Sequence, residues 1–245
     1  NWKAGGTGSS NTDGTITSTV SANQTAGFSI VSYTGTGTDP ETIGHGLGVV
    51  PKMIIVKDRS TSGGWRVYNE NIGNDKILAL DSTITSTTSD AWNSTTPTSS
   101  LFTVGNDTIT NGNGTTHIAY CFAEKKGYSK FGKYTGNGNT SGDGSFVYTG
   151  FKPAFFMVKN VSTSGHGWYM VNNKVDTDNP TNKYLVANTS AAEASFDWFD
   201  LNSNGIKIRG NSGGANANGD SYIYMAFAEE PLVANVGASI PATAR

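Results

Sequence analysis

The chain has 245 residues, 36% hydrophobic and 15% charged, with 31 glycines and a formal net charge of −2. So small a charge gives no electrostatic basis for holding nucleic acid or an anionic membrane, and no apolar run approaches the length of a membrane span. Disordered chains combine few aromatics with high net charge; here aromatics reach 11%, which favours folded β structure.

In chain order, Asn1-Trp-Lys-Ala-Gly-Gly6 reads as the exit of a preceding module. Residues 4–26 then read as a Gly/Ser/Thr/Asn linker with one short strand around Ile16–Val20. Residues 1–26 show no basic region followed by an apolar run, so no signal peptide is visible, and the numbered chain is expected to begin inside a longer polypeptide. Strand-like segments follow at Phe28–Tyr33, Met53–Val56, Trp65–Tyr68, Ile77–Leu80, Leu101–Val104 and Ile118–Ala123, mostly of period two; Met53–Val56, like Phe155–Val158, is a continuous apolar run that suggests a central strand covered on both faces. A second series runs through Phe131–Tyr134, Phe155–Val158, Trp168–Val171, Tyr184–Ala187, Gly205–Arg209 and Tyr222–Ala228. Asn-Gly turns at Asn111, Asn113, Asn137, Asn204 and Asn218 punctuate both. Pro51 and Pro153 lack an amide donor and are placed at strand starts. Ala191–Trp198 is expected to form a helical turn, and nothing longer is helical.

The two series repeat one another. Pro51-Lys-Met-Ile-Ile-Val-Lys57 returns as Pro153-Ala-Phe-Phe-Met-Val-Lys159, and Ser60-Thr-Ser-Gly-Gly-Trp65 as Ser162-Thr-Ser-Gly-His-Gly-Trp168. Ile118-Ala-Tyr-Cys-Phe-Ala-Glu124 returns as Ile223-Tyr-Met-Ala-Phe-Ala-Glu229. The spacings of 102 (Pro51 to Pro153), 103 (Trp65 to Trp168) and 105 (Phe122 to Phe227) are domain-sized rather than solenoid-sized. The expectation is all-β: two tandem antiparallel β-sandwich, jelly-roll-like domains. Their bounds are residues 1–26 for the exit and linker, 27–126 for the first repeat, 127–232 for the second and 233–245 for a C-terminal tail.

Chemistry-bearing residues are sparse. Cys121 is the only cysteine, cannot close an intrachain disulfide, and reads as a small core residue. His45, His117 and His166 are not matched between the repeats, and no Gly-x-Ser-x-Gly elbow accompanies them. Asp197 and Asp200 flank Trp198-Phe199 and are the acids weighed for glycoside cleavage, which needs two carboxylates across a cleft; they read as turn caps. Asp176-Thr-Asp178-Asn-Pro180 starts like a calcium loop but lacks its glycine and glutamate, and reads as an Asx turn. Catalytic, cofactor and metal sites are therefore all read as none. Trp65 and Trp168 share a register and read as core; if a tryptophan stacks on a glycan, it is expected to be Trp92 or Trp198, which lie in a less regular segment.

Gly44-His-Gly-Leu-Gly-Val-Val-Pro-Lys-Met-Ile-Ile-Val-Lys57 resembles the repeat modules of marine bacteriophage tail-fibre and virion structural proteins. So do Asn1-Trp-Lys-Ala-Gly-Gly6, Ile118–Glu124 with Gly127-Tyr-Ser-Lys-Phe-Gly132, and Phe146-Val-Tyr-Thr-Gly-Phe151. In that family such modules often follow concanavalin-A-like laminin-G domains. The resemblance implies a non-enzymatic structural and adhesive module on the virion surface, without a cofactor. Its partners would be other virion proteins and a host-surface receptor, with a glycan as one receptor class, and it would form a homo-oligomer, a trimer by preference. A capsid decoration or head-fibre protein and a polysaccharide-degrading tail protein are the alternatives.

Overall fold

The computed structural model describes residues 2–229, and the tail expected at 233–245 lies outside them. The chain divides into two compact units, residues 1–124 and 125–245. Each is an antiparallel β-sandwich, because alternating side chains leave one apolar face per strand that must be covered by a second layer.

In unit 1 the strands are β1 (Ser9–Asn11), β2 (Ser18–Asn23), β3 (Phe28–Thr34), β4 (Glu41–Gly44), β5 (Met53–Asp58), β6 (Trp65–Asn69), β7 (Lys76–Ala79), β8 (Thr87–Thr88), β9 (Leu101–Val104) and β10 (Thr116–Phe122), with a single helical turn α1 (Thr108–Asn111) before β10. One sheet has the order β1-β2-β3-β10-β5-β6-β7-β8, and β4 pairs β9 as a second, two-stranded sheet. Val31, Ile54, Val56, Ala119 and Cys121 face inward from the large sheet and meet Ile43, Phe102 and Val104 from the small one. On β10 the inward residues are the smaller ones plus His117, while Ile118 and Tyr120 lie half-buried on the other face.

Unit 2 contains β11 (Ser129–Thr135), β12 (Phe146–Tyr148), β13 (Pro153–Asn160), β14 (Trp168–Asn172), β15 (Thr181–Val186), β16 (Ala194–Asn202), β17 (Gly205–Ile208) and β18 (Ser221–Ala228). Their order is β11-β18-β13-β14-β15-β16-β17-β12. The neighbours β3-β10-β5-β6-β7 of unit 1 thus have β11-β18-β13-β14-β15 as counterparts, and β4 with β9 has β12 with β17. In unit 2 the layers join through β16. Its first half pairs β15 across a register shift (Lys183 with Ser195), and its second half pairs β17 (Phe199 with Ile208). Phe156, Val158, Val171 and Ala226 pack against Val147, Phe199, Leu201, Ile206 and Ile208.

Two local expectations change. Ala191–Trp198 is not a helical turn: from Ala194 onward it belongs to β16, because Phe199 and Leu201 alternate into the core and pairing on both edges satisfies the backbone. Residues 4–26 carry two strands rather than one. There Ile16 forms a bridge with Ile43, and Ile16 and Val20 enter the core of unit 1. Pro153 is the first residue of β13, and Pro51 lies two residues before β5.

Candidate functional site

In each unit a similar polar latch is built around a tyrosine, a buried asparagine and glycines at equivalent positions. In unit 1, β3 runs into Tyr33-Thr-Gly-Thr-Gly37, which faces Thr110-Asn-Gly-Asn-Gly114. The Tyr33 hydroxyl donates to the Thr110 carbonyl at 2.7 Å. The Asn111 side chain is buried; its Oδ1 accepts from the Thr36 amide at 3.0 Å, and its Nδ2 donates to the carbonyls of Thr38 and Gly105 at 2.7 and 3.2 Å. In unit 2 the segments are Tyr134-Thr-Gly-Asn-Gly138 and Ala215-Asn-Ala-Asn-Gly219. The Tyr134 hydroxyl donates to the Ala215 carbonyl at 2.7 Å, Asn216 Oδ1 accepts from the Asn137 amide at 3.0 Å, and Asn216 Nδ2 donates to the Gly210 carbonyl at 3.0 Å.

The glycines follow from this packing. A Cβ on Gly35 would lie 2.5 Å from the Gly112 carbonyl oxygen, and one on Gly136 would lie 2.2 Å from that of Ala217, so neither position tolerates a side chain. Gly37 and Gly138 have φ of +70 and +65, which glycine adopts without strain. Behind the latch Tyr33 stacks on His117 at 5.0 Å, and Tyr134 on Tyr222 at 5.0 Å. The Ser-Thr-Ser-Gly hairpins are tied alike: Asp58 Oδ1 accepts the amides of Ser60 and Thr61, and Asn160 Oδ1 those of Ser162 and Thr163.

The reactive residue types are absorbed into this scaffold. His45 is buried; its Nδ1 accepts the Leu47 amide at 3.2 Å and its Nε2 donates to the Thr98 carbonyl at 3.2 Å. Burial lowers its pKa and that of His117, whose Nε2 bonds the Thr115 hydroxyl at 2.8 Å. His166 lends its carbonyl to the buried ammonium of Lys159, whose pKa burial lowers to about 8. Cys121 is buried, and its thiol is pushed up to about 12. Asp200 is paired with Arg209 at 2.7 Å; Asp197 lies on β16, and its side chain is outside the described set. Asp176 Oδ2 accepts the amides of Asn182 and Lys183 at 2.7 and 3.1 Å, so this loop is stapled by its own backbone. Among the described residues no group of three or more His, Cys, Asp or Glu gathers to hold a metal.

The tryptophans are placed differently from expectation. Trp92 and Trp198 are 2% and 4% exposed, so neither offers a face to a sugar. Trp92 packs edge-on to Tyr68, and Trp198 is surrounded by Tyr169, Tyr184, Phe196 and Phe199. Of the pair expected in the core, Trp168 is buried, whereas Trp65 is half-buried, stacked on Tyr120 with the Lys57 ammonium 5.7 Å from its ring.

Trp2 of unit 1 is 41% exposed and packs on Phe28 and Phe122, and further exposed aromatics occur on the outer layer of unit 2. Phe146 and Tyr148 of β12 are 47% and 64% exposed, and Phe146 lies over Gly205, where a Cβ would meet its ring at 2.7 Å. An open groove of about 620 Å³ runs between the loop 140–142, Pro180–Asn182, Ser195–Phe196 and Arg209–Asn211. Among the described residues the only aromatic ring lining it is Phe196, 45% exposed and set edge-on to Trp198 at 5.6 Å. No periodicity marks such a groove. The latch, by contrast, was open to detection by aligning Thr110–Gly114 with Ala215–Gly219.

Residues 1–231 match a family model described as a domain of unknown function, DUF7483. No curated protein and no solved structure matches the chain.

Proposed function

The chain belongs to the DUF7483 family, and we propose that it is a non-enzymatic structural and adhesive module of a bacteriophage virion appendage, a tail fibre. The observation that carries this reading is the latch, built twice from matching segments around a buried asparagine. What the two units share is a device that fixes the shape of a loop end. The groups that catalysis would draw on differ between them: His117 stands where unit 2 has Tyr222, and Asp58 where it has Asn160. The resemblance of Gly44–Lys57 and Ile118–Gly132 to phage fibre modules supports the same conclusion.

In this reading rigid sandwiches hold loops out toward a host-surface receptor. Neighbouring virion proteins anchor the module, and a homo-oligomer, a trimer by preference, multiplies weak contacts into firm attachment. Competition for adsorption tests it. Purified protein added in excess should slow attachment of the parent phage to its host, and light scattering should give three copies per particle. Unchanged adsorption, or turnover of host glycans by the purified protein, would overturn the reading.

A further inference from the structure

We infer that the groove of unit 2 lined by Phe196, Arg209, Asn182, Asn211, Thr140 and Ser195 is a binding site for an uncharged saccharide. This rests on the adhesive reading above and gives it a ligand class and a location.

Phe196 supplies the platform. Nearly half of its surface is open, and the edge contact with buried Trp198 fixes the ring, so the C–H face of a pyranose can pack on it with little ordering cost. Asn182, Asn211, Thr140 and Ser195 line the same groove. None of these four side chains is used in a hydrogen bond among the described residues. An amide offers a donor and an acceptor side by side, which suits vicinal sugar hydroxyls. The backbone amide of Asn182 is tied to Asp176, which steadies that wall, and the Arg209 guanidinium is held by Asp200 at 2.7 Å and by the Gly142 carbonyl at 3.2 Å.

Charge selects the ligand. Arg209 is neutralised by Asp200, and Lys207 on the adjoining face by Asp143 at 2.5 Å. Both cations are therefore paired, and the groove presents unengaged hydrogen-bonding groups rather than an unbalanced field. That arrangement disfavours an anionic sugar, which would need a free cation, and suits neutral hexoses and N-acetylhexosamines.

The test is titration of the full chain with neutral gluco-, galacto- and N-acetylglucosamine oligosaccharides, followed by saturation-transfer NMR and tryptophan emission. Sialyllactose and a proline-rich peptide serve as the charged and peptidic comparisons. At least one neutral saccharide should bind and perturb the emission, with Phe196→Ala weakening it about tenfold, the loss of one stacking contact. Asn211→Ala, on a surface loop, should weaken it as well while leaving the far-UV spectrum unchanged. The inference is overturned if no neutral saccharide binds, if Phe196→Ala binds as the parent does, or if sialyllactose or the peptide binds in preference. Adsorption competition separates the two readings. Should Phe196→Ala protein compete as well as the parent, the groove is wrong and the adhesive reading stands; should neither compete, the adhesive reading falls.

Discussion

Replacing Asn111 by alanine removes three hydrogen bonds at a buried position: from the Thr36 amide, and to the carbonyls of Thr38 and Gly105. Each bond is worth about 1 kcal/mol net, and a buried group left unpaired costs about 1–3 kcal/mol. The three orphaned groups lie in loops that can relax, so the expected loss is about 2–4 kcal/mol, a large share of the roughly 5–15 kcal/mol that holds a domain together. Asn216→Ala should cost a similar amount, because Asn216 serves the Asn137 amide and the Gly210 carbonyl in the same way. Asn111→Asp is the sharper variant. It keeps the acceptor for Thr36 but turns the amide donor toward Thr38 and Gly105 into a second acceptor, so it should be no better than alanine at neutral pH. Urea denaturation followed by circular dichroism measures all three through the midpoint at constant slope. Losses below about 1 kcal/mol, or an aspartate variant as stable as the parent, would refute the latch as a structural element.

Other expectations concern the buried titratable groups. Lys159 has a folded pKa of about 8 against an ordinary 10.5, so between these values the unfolded chain holds a proton that the folded one has released. Stability should therefore rise as pH climbs from about 8 toward 10, and Lys159→Met should remove that rise in thermal melts taken across the window. Above that range the trend should reverse, since Tyr68 and Tyr222 are raised to about 12 and resist ionising only while buried. On the acid side, burial lowers the pKa of His45 and His117, so stability should fall as pH drops below about 6.5, when the unfolded chain gains protons the folded one refuses. A melting temperature that is flat from pH 7 to 5 would contradict this. Cys121, buried and raised to about 12, should stay unreactive toward an aromatic disulfide at pH 8 in the native protein and react completely in guanidinium.

The strands were legible because their signal is local. Phe155–Val158 and Tyr222–Ala228 are apolar runs bounded by turn residues, and their pairing follows from period two. Ala191–Trp198 misled because its first residues favour a helix by composition. Its strand state depends on Thr181 and Ile208, which pair with Phe199 from either side and are distant in sequence. Likewise residues 4–26 are rich in linker residue types, yet Ile16 and Val20 are drawn into the core of unit 1 by β3 and β4. Composition does not report a docking partner. The tryptophans show the same limit: Trp92 lies in a turn and is closed off against Tyr68, and Trp198 lies on β16 enclosed by Tyr169, Tyr184, Phe196 and Phe199, ring partners that are distant in sequence or unmarked by any period. The groove beside Phe196 joins residues from four loops and strands, so its place became readable only once the sheet had folded round β16.

The most direct measurement is the position of this chain on an assembled particle. Electron cryo-tomography of phage particles that contain the chain, labelled with gold-conjugated antibody against it, should show gold along the tail fibres and toward their host-facing ends. Gold confined to the capsid shell, or particles left unlabelled, would contradict the proposed function.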